Sequence, residues 1–79
     1  MDIYILKEIN VLGSGEQEYY CDVYESKEKA IEAMKNDAEE HMENGAEITD
    51  GKFGEAYVRL ENKEYENVYT FEIEYSVVK

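Results

Sequence analysis

The sequence predicts an α+β domain of two layers: a four-stranded, mostly antiparallel sheet with one amphipathic helix packed on one face, in the order ββαββ. Three observations predict it. Four stretches alternate side chains at the two-residue period of a strand, one stretch repeats apolar residues at helical three- and four-residue steps, and polar or glycine-containing turns separate them. The length of 79 residues fits one domain, residues 1–79, because so short a chain already buries only about 60% of its surface.

The first strand spans Asp2 to Leu12, with Ile3, Ile5, Ile9 and Val11 on the odd side of the alternation. Gly13-Ser14-Gly15 and the Glu16-Gln17-Glu18 that follows make a turn, and Tyr19 to Tyr24 alternates again with Tyr19, Cys21 and Val23 on one side. This is a hairpin. Cys21 is read as a core thiol, since a buried cysteine packs as a small hydrophobe. Ser26 is placed to cap a helix running from 27 to 44, whose inward stripe is Ala30, Ile31, Met34, Ala38, His41 and Met42, and Asn44-Gly45 is the stop. His41 reads as a boundary residue half-covered by the sheet. Residues 45–54 hold three glycines and read as a connecting loop with room for a short extra hairpin, anchored by Ile48 and Phe53. Glu55 to Glu61 is the third strand, with Ala56, Val58 and Leu60 inward. After the polar turn Asn62 to Asn67, Tyr69, Phe71, Ile73, Tyr75 and Val77 mark one side of the fourth. Strands two and three point the same way in this reading, so the helix is a right-handed crossover between them.

Charge narrows the function. The chain has 8 Lys and Arg against 20 Asp and Glu, a formal charge of -12, the opposite of what phosphate-backbone binding requires. No direct binding of nucleic acid is expected on that ground. No apolar run approaches the roughly 20 residues of a membrane span, and a cytoplasmic location is expected. Catalytic chemistry finds no foothold: the lone His41 and the single Cys21 build neither a nucleophile system nor a structural zinc site. Gly13-Ser14-Gly15 lacks the Lys and Thr of a phosphate loop. Asp37, Glu39, His41 and Glu43 alternate, but Met42 stands where a calcium loop needs glycine. The expectation is a non-enzymatic protein with no cofactor, no metal and no catalytic residues.

Two acidic surfaces are the candidate binding sites. Residues 31–45 carry five acids against Lys35 alone, and Glu32, Glu39, Glu40 and Glu43 fall on the polar stripe of the helix. Glu39, Glu40 and Glu43 also crowd the helix carboxyl end, where the macrodipole disfavours each acid by about 0.3–1 kcal/mol. A rule broken without visible compensation points to function. The second surface is the sheet side turned away from the helix, read as Tyr4, Leu6, Tyr20, Asp22, Tyr24, Tyr57, Arg59, Glu72 and Glu74. Eight tyrosines exceed what one small core hides, and tyrosine is enriched at interfaces. Either surface suits a basic protein surface as partner. Glu72 and Glu74 project about 6–7 Å apart on a strand, and Glu39 and Glu43 stand about 6 Å apart along a helix, steps of the order of neighbouring phosphates.

The stretch Val23-Tyr24-Glu25-Ser26-Lys27-Glu28-Lys29-Ala30-Ile31-Glu32-Ala33 resembles the strand-to-helix junction of small proteins from phages and mobile elements, and size and acidity resemble those of anti-CRISPR proteins. The resemblance implies an inhibitor of a nucleic-acid-handling defence complex such as a CRISPR effector, in the host cell cytosol, and the charge and carboxylate spacing above are those expected of a DNA mimic. No residue role is carried over with it. The alternative expectation is a protein-interaction module or homodimer, paired through a strand edge or the tyrosine face.

Overall fold

The computed structural model describes residues 1–79. One helix packs on a five-stranded, wholly antiparallel sheet: β1 (Asp2–Val11), β2 (Gln17–Tyr24), α1 (Lys27–Glu43), β3 (Glu47–Lys52), β4 (Tyr57–Asn62) and β5 (Asn67–Val77), with a 3-10 turn at Phe53–Glu55. The strand order is β2-β1-β5-β4-β3. The two-layer α+β reading holds and the four-strand count is corrected to five. No helix is long and apolar enough to cross a membrane.

The extra strand lies in the segment read as a loop. Local composition hides it, because Thr49-Asp50-Gly51 reads as turn chemistry, while pairing with β4 supplies the missing order. A register shift between Ile48 and Asp50 accommodates that irregular sequence. Gly51 is what lets the strand lie there: its φ is +78°, and a Cβ would stand 2.2 Å from the Tyr57 carbonyl oxygen. Gly51→Ala is therefore expected to cost at least about 1–3 kcal/mol through backbone strain alone, read as a lowered midpoint in urea. An unchanged midpoint would remove β3 from the cooperative fold. The third predicted strand begins two residues late, because Ala56 has φ +61° and closes the 3-10 turn rather than facing inward.

The added strand also reverses the crossover. β4, the third strand of the sequence reading, runs antiparallel to β2; the helix instead links the edge strands β2 and β3. Both helix ends follow the sequence closely. Ser26 Oγ accepts from the Lys29 amide at 3.1 Å. At the far end Gly45, with φ +103°, donates to the Met42 carbonyl while Ala46 donates to that of His41, a glycine-dependent stop that satisfies two orphan carbonyls. Asn62 ties this end to the sheet, its Nδ2 donating to the Asn44 carbonyl at 2.9 Å.

The core lies between α1 and the sheet and comprises Leu6, Met34, Ala38, Ala46, Val58, Leu60, Tyr69 and Phe71. Its register decides which side of each strand is inside. On β5 the odd residues face the helix as expected, and they sit opposite the even residues of β1: Phe71 opposite Glu8, Ile73 opposite Leu6, Tyr75 opposite Tyr4. The inward side of β1 is thus even, and Leu6 is buried rather than outward. The same register turns Tyr20, Asp22 and Tyr24 of β2 to the helix side, opposite Glu8, Leu6 and Tyr4. Cys21, read as a core thiol, is exposed on the other face.

Candidate functional site

Where the β1–β2 hairpin passes under α1, its inward side chains turn polar, and a groove of about 300 Å³ opens there. Strand register sets one wall. Glu8 sits opposite Tyr20, Asn10 opposite Glu18 and Leu6 opposite Asp22, so Glu8, Asn10, Glu18, Tyr20 and Asp22 share one side of two adjacent strands. Helical spacing sets the other: Asp37, Glu40 and His41, at steps of three and four, form the flank of α1 that looks across.

A network organises the groove floor. Asn10 Nδ2 donates to Glu8 Oε2 at 2.7 Å and to Glu18 Oε1 at 3.3 Å. His41 Nε2 lies 3.1 Å from the same Glu8 oxygen, and its ring stacks on Tyr69 with centroids 3.7 Å apart. Two polar groups therefore hold Glu8 in a largely covered position. Asn10 itself is 2% exposed, and its Oδ1 has no hydrogen-bond partner, an uncommon state for a buried acceptor.

The local potential is strongly negative, because five acids line the groove and no lysine or arginine does. The titrating groups register it. Burial pushes the Asp37 carboxyl above its ordinary 3.8, and Glu8, Glu40 and Asp22 push it further, with His41 opposing. The Tyr20 phenol is raised chiefly by Glu18; burial raises that of Tyr24, helped by Asp22 and Asp37. Asp37 thus binds its proton more tightly folded than unfolded. Its contribution to stability is greatest below its unfolded value near 3.8 and is lost as pH rises through the higher folded value. Asp37→Asn is accordingly expected to raise Tm at pH 7, with the gain shrinking toward pH 3. Thermal melts at the two pH values check it, and a destabilised variant at pH 7 would mean that the carboxylate is held by an attraction, not strained by repulsion.

No protein-family model, curated protein or solved structure matches this chain.

Of the sequence-predicted site residues, Glu40, Tyr20 and Asp22 meet in the groove, and Tyr24 stands beside Asp22 and Asp37. Glu32, Glu39 and Glu43 lie on the exposed outer stripe of α1, with Glu32 and Glu39 near Glu28 and Lys35. Glu72 and Glu74 do not join Tyr20, Asp22 and Tyr24. They sit on the opposite side of the sheet, where Glu74 pairs with Lys7 and, by that hydrogen bond first, holds the Lys7 ammonium above its usual range. The predicted tyrosine-and-acid face is thus split between the two sides, because β2 is turned over relative to the reading. Glu8, Asn10 and Glu18 were missed as site residues. For Glu8 and Asn10 the one sequence signal is that two polar residues follow Tyr4 and Leu6 on the even side of the first strand; Glu18 carries none.

The side away from the helix is instead partly apolar. Ile9 and Val11 of β1 and Tyr19 and Val23 of β2 are exposed there, Tyr19 by 67% and Val23 by 59%.

Proposed function

We propose that this protein is a non-enzymatic inhibitor of the anti-CRISPR type: an acidic chain that occupies a basic, nucleic-acid-binding surface of a partner protein as a nucleic-acid mimic. One observation carries the reading. The carboxylates are concentrated, with Glu8, Glu18, Asp22, Asp37 and Glu40 in a groove without lysine or arginine, continuing over α1 onto exposed Glu32, Glu39 and Glu43. A surface of one sign attracts a surface of the other, raising association rate and selecting against acidic partners. Exposed Tyr20, at the groove rim, adds contact area with a polar tip.

The test passes the purified protein over immobilised nucleic-acid-binding complexes, CRISPR effectors included, at low and moderate salt with free DNA as competitor. Capture that DNA displaces and salt weakens is expected. Capture that ignores DNA would overturn mimicry, and no capture would overturn the inhibitor reading.

A second reading, a homodimer, has its own support in the free edge of β2 and the apolar side beside it. Leu12 bonds Glu16 across the hairpin, which by alternation leaves the N–H and C=O groups of Gln17, Tyr19, Cys21 and Val23 directed to the open edge. Light scattering across concentration separates the two, since the inhibitor reading requires no self-association.

A further inference from the structure

The two edges of the sheet are built differently. β3, at one edge, carries Glu47, Asp50 and Lys52 among its 6 residues and is broken by a register shift, devices that keep a strand edge from pairing with another chain. β2, at the other edge, lacks them. Its 8 residues include no proline, lysine or arginine, and its pairing with β1 runs from Gln17 to Tyr24 without a shift. The outward N–H and C=O groups of Gln17, Tyr19, Cys21 and Val23 therefore form a straight row open to a further strand. On the open side of the sheet this row is flanked by Tyr19, 67% exposed, and Val23, 59% exposed, next to Ile9 and Val11.

We propose that β2 pairs antiparallel with β2 of a second copy of this chain about a twofold axis at Cys21, so that the two sheets run on as one. The inference rests on the homodimer reading above and specifies its strand and register. Backbone alternation and charge together select that register. Odd-numbered residues, whose bonding groups point outward, have to face odd-numbered ones, so a twofold pair sets one residue opposite itself. Like charges directly opposite are destabilising. Centred on Tyr20, the pair sets Glu18 against the partner's Asp22; centred on Glu18 or Asp22, it sets that acid against its own copy; centred on Tyr19, it sets Glu16 against the partner's Asp22. Centred on Val23, it pairs only Asp22 to Tyr24 of β2. Centred on Cys21, it pairs all residues from Glu18 to Tyr24 and sets no acid opposite an acid: Glu18 faces the partner's Tyr24, Tyr19 the partner's Val23 and Tyr20 the partner's Asp22. Tyr19 and Val23 then cover each other as an aromatic and β-branched cross-strand pair. The acids remain diagonal neighbours about 7–8 Å apart, and each copy carries a charge of -12. Added salt therefore tightens the dimer, the reverse of its effect on binding to a basic partner.

The experiment follows the full chain by sedimentation equilibrium under reducing conditions, across concentration and at low and moderate salt. A monomer–dimer equilibrium that tightens with salt is expected. Cys21→Pro removes an N–H that points to the open edge and leaves the pairing with β1 intact, so its dimer should be at least about tenfold weaker while its amide spectrum stays dispersed, a loss of about 1.4 kcal/mol. Val23→Glu, at an exposed position, serves if the proline variant does not fold. Register is read by crosslinking with a thiol oxidant. The two Cys21 residues face each other with Cα atoms about 5.5 Å apart, within reach of a disulfide, and should crosslink. In the Cys21→Ser, Tyr19→Cys variant the two thiols lie four residues apart along the paired strands, about 13 Å, and crosslinking should be about tenfold slower. A dimer that crosslinks faster through position 19, or that ignores both Cys21→Pro and Val23→Glu, would overturn the β2 pairing and leave the homodimer reading standing. Monomers at every concentration and salt would overturn both.

Discussion

Phe71→Ala is expected to destabilise the protein by about 3–5 kcal/mol, the cost of removing a fully buried aromatic ring and leaving a cavity. Phe71 is fully buried, lies opposite Val58 on β4 and Glu8 on β1, and approaches the His41 ring at 6.0 Å. It therefore joins both halves of the sheet to the helix. Collapse around the void is hindered because two of its walls are backbone-paired strands. In a domain of this size, whose total stability is on the order of 5 kcal/mol, such a loss lowers Tm by on the order of 20 °C and leaves a large unfolded fraction at 37 °C. Tyr19→Ala, at a residue 67% exposed on the open side of the sheet, is the control and should stay within about 0.5 kcal/mol. Urea melts of the two variants decide it. Equal midpoints would mean that the sheet and helix do not form one cooperative core.

Position 71 also shows what was legible in the sequence. The alternation from Tyr69 to Val77 is unbroken, so the inward side of β5 could be read from its own residues, and the helix from Ser26 to Asn44 carries its own cap, stripe and stop. The first strand carries no such answer. Both of its sides are apolar, with Ile3, Ile5, Ile9 and Val11 on one and Tyr4 and Leu6 on the other, and a local reading follows the richer side. The fold follows the other, because pairing with β5 puts Leu6 opposite Ile73 and Glu8 opposite Phe71. A one-residue change of side moves every side chain to the other face. That single decision, made some 65 residues away in sequence, carried Cys21 out of the expected core and brought Tyr20 and Asp22 into the groove.

The candidate site was legible to the same degree as its elements. The acids of α1 could be placed because helical spacing is local, whereas Glu8, Asn10 and Glu18 could not, because their neighbourhood exists only after β1, β2 and the helix have packed. β3 stayed hidden for a related reason. Its residues have little strand preference, and their order comes from β4 and from the backbone freedom of Gly51.

Reversing Glu39, Glu40 and Glu43 to lysine should move binding and stability in opposite directions, and this makes it the most informative variant of the surface. All three side chains are exposed, so the core is untouched, and the formal charge moves from -12 to -6 because each reversal adds two units. Lysine at the carboxyl end of a helix is favoured by the macrodipole by about 0.3–1 kcal/mol per residue. The triple variant should therefore melt at or above the temperature of the parent. Its association with a basic partner should fall by about 10- to 1000-fold at low salt, since the field that steers encounter is halved and its nearest part is reversed. The parent's affinity should itself drop steeply with added salt, over the range in which the Debye length shrinks from about 10 Å at 0.1 M to about 3 Å at 1 M. A loss of binding that accompanied a loss of stability would say nothing about charge, and a more stable variant that cannot bind admits no structural explanation. Unchanged binding by the stable variant would remove the outer helix face from the interface and leave the groove, with Asp22, Asp37 and Glu8, as the surface still to be tested.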